Sequence, residues 1–127
     1  MKTFRNPADV HAPAGHYVHQ VELQGAGRLL VVAGQIGMRP DGSVPDDPLA
    51  QLDVAFENVA GNLRAAGMGL SDIIKVTYYH VGRLDRGRRL AVIVKHLGEH
   101  KPASTLLYVA GLADPAYLVE VEVWAAM

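Results

Sequence analysis

The chain has 127 residues, half of them hydrophobic, with 12 Lys and Arg against 13 Asp and Glu and no cysteine. That is enough chain for one domain spanning 1–127 and leaves no disulfide, thiol nucleophile or Cys-ligated zinc. The net charge of −1 argues against a nucleic-acid partner, whose phosphates need a clear cationic excess.

MKTFRNPADVH at the start has no apolar run behind its positive charges, and no stretch reaches the roughly 18 apolar residues of a membrane span. A cytoplasmic protein with no membrane partner is expected. HYVHQVELQ at 16–24 alternates with the two-residue period of a half-buried strand. GAG at 25–27 is expected to turn the chain, and RLLVVAGQIG at 28–37, almost continuously apolar, to be its more buried partner across a hairpin. RPDGSVPDDP at 39–48 is loop.

A long helix should follow, with Asp47 accepting free amide hydrogens of the first turn, Pro48 at the first helical position and Gly67 ending it. Leu49, Leu52, Phe56, Val59, Leu63 and Ala66 fall on one stripe, which must cover a sheet. IIKVTYYHV at 73–81 reads as a strand. Asp85 should cap a shorter helix with Leu90, Val94 and Leu97 inward and Gly98 stopping it. Two strands remain, 104–110 and 117–125.

The predicted class is therefore α+β, in the order strand-strand-helix-strand-helix-strand-strand, with two helices on one face of a mixed sheet. No element remains for the other face. Tyr78, Leu106, Tyr108 and Trp124 are expected there, buried against further copies of the chain.

Chemistry-bearing residues are few. Glu120 and Glu122, at i and i+2, share a strand face; they are either a solvated face or include a general base holding a water. HLGEH at 96–100 has the H-x-x-E-H spacing of a zinc site, but Gly98 ends the helix between the histidines, so no metal site is assigned. His80 reads as a hydrogen-bonded structural histidine. Arg83, Arg86, Arg88 and Arg89 could clamp phosphates, yet without interleaved aromatics they read as a solvated surface. The glycines at 25, 27, 34 and 37 have no nucleotide-binding spacing.

APAGHYVHQVEL, LLVVAGQIG, FENVAGNLRAAG, DIIKVTYYHV, GEHKPAST and LVEVEVWA occur in an order that resembles the RidA/YjgF family of reactive-intermediate deaminases over nearly the whole chain. The resemblance implies a chorismate-mutase-like homotrimer with a central barrel of sheets. It also implies hydrolysis of small enamines or imines in clefts between subunits, with no cofactor and no metal.

Carried over by position, Tyr17 matches the tyrosine of G-P-Y, with His16 at its proline, and Gly34 the glycine of S-G-Q, with Ala33 at its serine. Glu120 matches the first glutamate of E-x-E, the catalytic residue that positions the attacking water. Tyr17, Gly34, Ser104, Thr105 and Leu106 are then the substrate-binding candidates. The P-A-R-S motif reads Pro102, Ala103, Ser104, Thr105, so Ser104 replaces the arginine that grips the substrate carboxylate; Leu106 holds the family's cysteine position and Leu90 its asparagine. Loss of such a clamp weakens carboxylate binding by about 2–4 kcal/mol. The expected guest is thus a small, less acidic imine, enamine or carbonyl compound rather than a 2-aminoacrylate-derived imino acid. The alternatives are a non-catalytic metabolite-binding trimer and a ribonuclease-like activity supported locally by the arginine cluster.

Overall fold

The computed structural model describes residues 1–25 and 27–127. In chain order its elements are β1 (Lys2–Arg5), β2 (Gln20–Leu23), β3 (Leu29–Ile36), α1 (Pro48–Ala65), β4 (Ile73–His80), α2 (Arg86–Leu97), β5 (Ala103–Tyr108) and β6 (Val119–Ala126), with a 3-10 turn at Leu70–Asp72 before β4. The α+β order expected from sequence is present, with one further strand, β1, at the start. A four-stranded mixed sheet runs β3-β6-β4-β5, β6 being antiparallel to both neighbours and β5 parallel to β4.

Local chemistry sets the helix ends as expected. The Asp47 carboxylate accepts from the Ala50 amide and Asp85 from the Arg88 amide, each satisfying a first-turn donor. Gly67 and Gly98 take φ of +70° and +58°, where a side chain would be strained.

Both helices cover one face of the sheet. Phe56, Leu52, Val59 and Leu63 of α1 meet Val119, Val121 and Val123 of β6, and Ile93 and Leu97 of α2 join the same core. The β6 valines pair across the sheet with His80, Tyr78 and Val76 respectively, so those β4 residues share the buried face. Tyr78 is therefore 2% exposed, near Phe56, and not on the open face where it was expected. Leu106 and Tyr108, in register with Tyr78 and His80, also turn to the helix side. Only Trp124 of that set lies on the open face, 41% exposed beside Val31 at 57%.

Two further expectations are corrected. The strand at 20–23 makes no hairpin with β3; it pairs antiparallel with β1, Lys2 opposite Leu23 and Phe4 opposite Val21. The Arg5–Glu22 ion pair and a Lys2 bond to the Ala126 carbonyl hold that ribbon. The expected turn at 25–27 includes Ala26, which lies outside the described residues. In α2, Leu90 and Val94 are largely exposed, whereas Ile93 and Leu97 are buried. The stripe turned to the sheet runs through the half-buried Arg89 and the buried Ile93 and Leu97, four residues apart each, with the exposed Arg86 at its leading end.

The buried Gln51 ties loops to core. Its amide donates to the carbonyls of Pro45 (2.8 Å) and Ala116 (2.9 Å), and its oxygen accepts from the Leu118 amide (2.8 Å). Gly37 permits this approach, since a Cβ there would sit 2.6 Å from the Gln51 backbone. Gly37→Ala should therefore destabilise the fold by about 1–3 kcal/mol in urea unfolding, through overpacking against a backbone that cannot yield.

Candidate active site

One cleft of about 450 Å³ opens on the helix side of β5, between that strand, the start of α2 and the segment before β2. Segment and strand are joined directly: the Val18 amide donates to the Pro102 carbonyl (3.3 Å), and Val18 bridges Ala103 in parallel. This brings Tyr17 and Ser104 into one wall, with Leu106 and Tyr108 further along β5. The Tyr17 hydroxyl accepts from the Ala14 amide at 3.1 Å.

Three arginines that the sequence assigned to solvent also line the cleft: Arg83, Arg86 and Arg89. Arg89 is held from two sides. Its Nε donates to Nε2 of His80 at 2.9 Å, and its guanidinium lies 4.6 Å from the centre of the Tyr78 ring. Arg83 stacks at 5.0 Å over Tyr108, and Arg86 donates to the Ala14 carbonyl at 2.7 Å. The sequence spacing is equally compatible with Leu90, Val94 and Leu97 inward; the burial of Ile93 in the structure is what selects the face that carries Arg89.

His80 is fully buried, and burial, assisted by the Arg89 charge, pushes its pKa down to about 4, with the Tyr79 backbone acting the other way. A neutral imidazole is the form that accepts from Arg89, which makes His80 a positioning residue for that guanidinium. Burial lowers Arg89 from its ordinary value, opposed by Tyr78 and Tyr108, and raises the Tyr78 phenol.

The remaining site candidates lie on the other face of the sheet. The Glu120 side chain is laid over Gly34, where an added Cβ would come within 2.7 Å of its carboxyl carbon. Gly34 is thus the space the carboxylate occupies. Glu122 accepts from the Tyr79 hydroxyl at 3.3 Å, whose pKa is raised by desolvation and by Glu122 and Glu120. Thr105 is on this face too, its hydroxyl accepting from Lys75, and so is not in the cleft. Tyr17, Ser104 and Leu106 are brought together within one chain; Gly34 and Glu120 form a second pair across the sheet from them.

The histidines of HLGEH diverge, His96 bonding Asp53 (2.7 Å) and His100 the Ile73 carbonyl (2.7 Å). No group of three or more potential metal ligands occurs among the described residues, and no helix there is long and apolar enough to cross a membrane.

A family model described as Endoribonuclease L-PSP matches residues 8–127. A RutC family protein of Pyrococcus horikoshii is 35% identical over 112 residues, 87% of this chain and 86% of that protein. The 2-iminobutanoate/2-iminopropanoate deaminase of Escherichia coli is 39% identical over 75 residues, 57% of this chain and 56% of the enzyme. Among solved structures, the Rid-family protein YyfB of Yersinia pestis superposes with a TM-score of 0.86 at 27% identity, covering 99% of this chain and 98% of that one. Escherichia coli TdcF with bound serine gives 0.73 at 30% identity, covering 98% and 95%.

Stability should report the state of His80. Its folded pKa lies below the ordinary 6.5, so the unfolded chain takes up the proton first as pH falls. The stabilisation is complete above 6.5 and is lost between there and about 4, at up to about 1.4 kcal/mol per pH unit. Asp53, lowered from 3.8 by the Lys95 hydrogen bond, and Asp72, lowered by the Gly69 amide and then by Lys2, lose their contribution at lower pH. Thermal melts of His80→Gln should show a flatter dependence between pH 6.5 and 4.5 than the parent; equal slopes would show that His80 is not the group.

Proposed function

The chain belongs to the endoribonuclease L-PSP family, the YjgF/RidA proteins, and on that premise we propose that it hydrolyses a small imine or enamine to a carbonyl compound and ammonia. The substrate is other than the 2-aminoacrylate-derived imino acids, because Ser104 stands where the P-A-R-S motif has arginine. The observation carrying this reading is the Glu120 carboxylate seated over Gly34, on a face that no element among the described residues covers. The similarity to the Escherichia coli deaminase supports the reaction class.

One chain cannot present Tyr17, Ser104 and Glu120 to one guest, since a sheet separates them. A second copy supplies the carboxylate. Three copies packed through their open faces bury Leu29, Val31 and Trp124, each more than 40% exposed in the single chain, and bring Glu120 of one protomer to the cleft of its neighbour. Obligate interfaces bury apolar patches, and Leu29, Val31 and Trp124 make one at the β3 side of this face, beside the polar residues of β4 and β6.

In the cleft, the hydroxyls of Tyr17 and Ser104 hydrogen-bond the guest while Leu106 supplies an apolar wall. Glu120 takes a proton from a water as the resulting hydroxide adds to the carbon of the C=N bond, and passes that proton on to the nitrogen, which leaves Glu120 ionised again and the adduct a neutral carbinolamine. Glu120 then relays the carbinolamine hydroxyl proton to the amino nitrogen, the C–N bond breaks, ammonia leaves and the carbonyl forms. An iminium carbon is already electrophilic, so orientation of the water accounts for most of the acceleration.

With imines generated in situ, the protein should accelerate hydrolysis of one or more small imines, and Glu120→Gln should lower that rate about 10²–10⁴-fold with ligand affinity unchanged. Turnover of 2-iminopropanoate should be slow and should rise in Ser104→Arg. No turnover across an imine panel, by either form, would leave a metabolite-binding trimer instead. Sedimentation at micromolar concentration should give a trimer, and a lone protomer would contradict the shared cleft.

A further inference from the structure

Charge in the cleft is one-sided. Arg83, Arg86 and Arg89 line it, no aspartate or glutamate does, and none of the three lies within ion-pair distance of a carboxylate among the described residues. Asp85, the nearest acid in sequence, is engaged as the cap of α2. Each guanidinium is instead fixed by a neutral group, Arg89 by His80 and the Tyr78 ring, Arg83 by the Tyr108 ring and Arg86 by the Ala14 carbonyl. Those partners position the three cations without neutralising their charge. A guest with acidic groups would complete them, and Arg89 is prepared for it: with Nε spent on His80, its two Nη groups make no hydrogen bond among the described residues and remain for a two-pronged grip on a carboxylate.

A second polar atom in the same wall lacks its partner. The Nε2 of His16 is shielded from solvent, with no hydrogen bond among the described residues. A buried ring nitrogen left unpaired costs stability unless a guest supplies the missing group.

Resting on the reading of this cleft as the guest site, we propose that α2 and its leading loop carry an anion clamp in place of the missing strand arginine, and that the guest is a small dianion. One acidic group sits on Arg89 in the interior of the cleft. The other lies nearer the mouth, between the more exposed Arg86 and Arg83. The chemical class is an imine or enamine of a dicarboxylic oxoacid, and three cations against one carboxylate are the reason a monoacid is the poorer fit. Absence of arginine at position 104 therefore does not leave the cleft without a cation, and the less acidic guest expected from sequence is replaced by a more acidic one.

Calorimetric titration of the assembled protein with 2-oxoglutarate, 2-oxobutanoate and inorganic phosphate tests this without requiring turnover. The dicarboxylate should bind about tenfold or more tighter than the monocarboxylate, and added salt should narrow the gap. Arg83→Gln with Arg86→Gln, both at exposed side chains outside the core, should erase the preference by weakening 2-oxoglutarate far more than 2-oxobutanoate; Arg89→Lys, which keeps the charge but not the fork, should weaken both. Equal affinity for the two oxoacids, a preference that survives the double variant, or tighter binding of phosphate or of a short oligoribonucleotide would overturn the proposal. The two readings fail separately: dianion preference with no imine turnover removes the hydrolase and keeps the clamp, whereas Glu120-dependent turnover with no preference does the reverse.

Discussion

The alternation of β6 is the constraint on which the rest of the molecule depends. As the second strand of a four-stranded sheet it is paired on both sides, so its register is fixed by β3 and β4 together. Val119, Val121 and Val123 turn under α1, which forces Glu120, Glu122 and Trp124 to the opposite face. A slip of one residue would bury two carboxylates in an apolar core and expose three valines, at a cost no other contact here could offset. The fold and the location of its catalytic candidate are thus one decision.

That decision separates the chemistry into halves. The helix side of the edge strand β5 carries the walls of a cleft, and the far side of the sheet carries the Glu120 carboxylate over Gly34. Neither half is a site alone. A sheet face bearing Leu29, Val31 and Trp124 in contact with solvent is the other consequence of the same alternation. The proposed assembly would relieve both, since the exposed apolar surface also holds the carboxylate the cleft lacks.

The arginines of α2 show how one structural choice redistributes chemical roles. A guanidinium on β5 would project from the strand itself; here the strand offers only the Ser104 hydroxyl, and cations enter from the helix opposite. His80 and Tyr78, both buried on β4, hold Arg89 with a neutral acceptor and a ring face in place of a counter-ion. Its charge is therefore positioned but not neutralised, a state suited to binding an anion and costly to maintain otherwise.

By itself the sequence determined what depends on near neighbours: the capped ends at Asp47 and Asp85, the stop at Gly98, the α1 stripe, the faces of β6 and, through quoted motifs, the family. These are local matters of hydrogen-bond donors within one turn and of two- or four-residue periods, and they need no knowledge of the rest of the chain. The pairing of β2 with β1 was not legible, because a four-residue strand bearing Lys2 and Arg5 has no hydrophobic period to announce it. Nor was the rotation of α2 about its axis, since Leu90–Val94–Leu97 and Arg89–Ile93–Leu97 are equally helical spacings. Only contact with the sheet chose between them, and with that choice the arginines moved from solvent into the cleft. Which side chains meet across a sheet or between a helix and an edge strand is set by packing of segments distant in sequence, and that is what the tertiary structure alone decided.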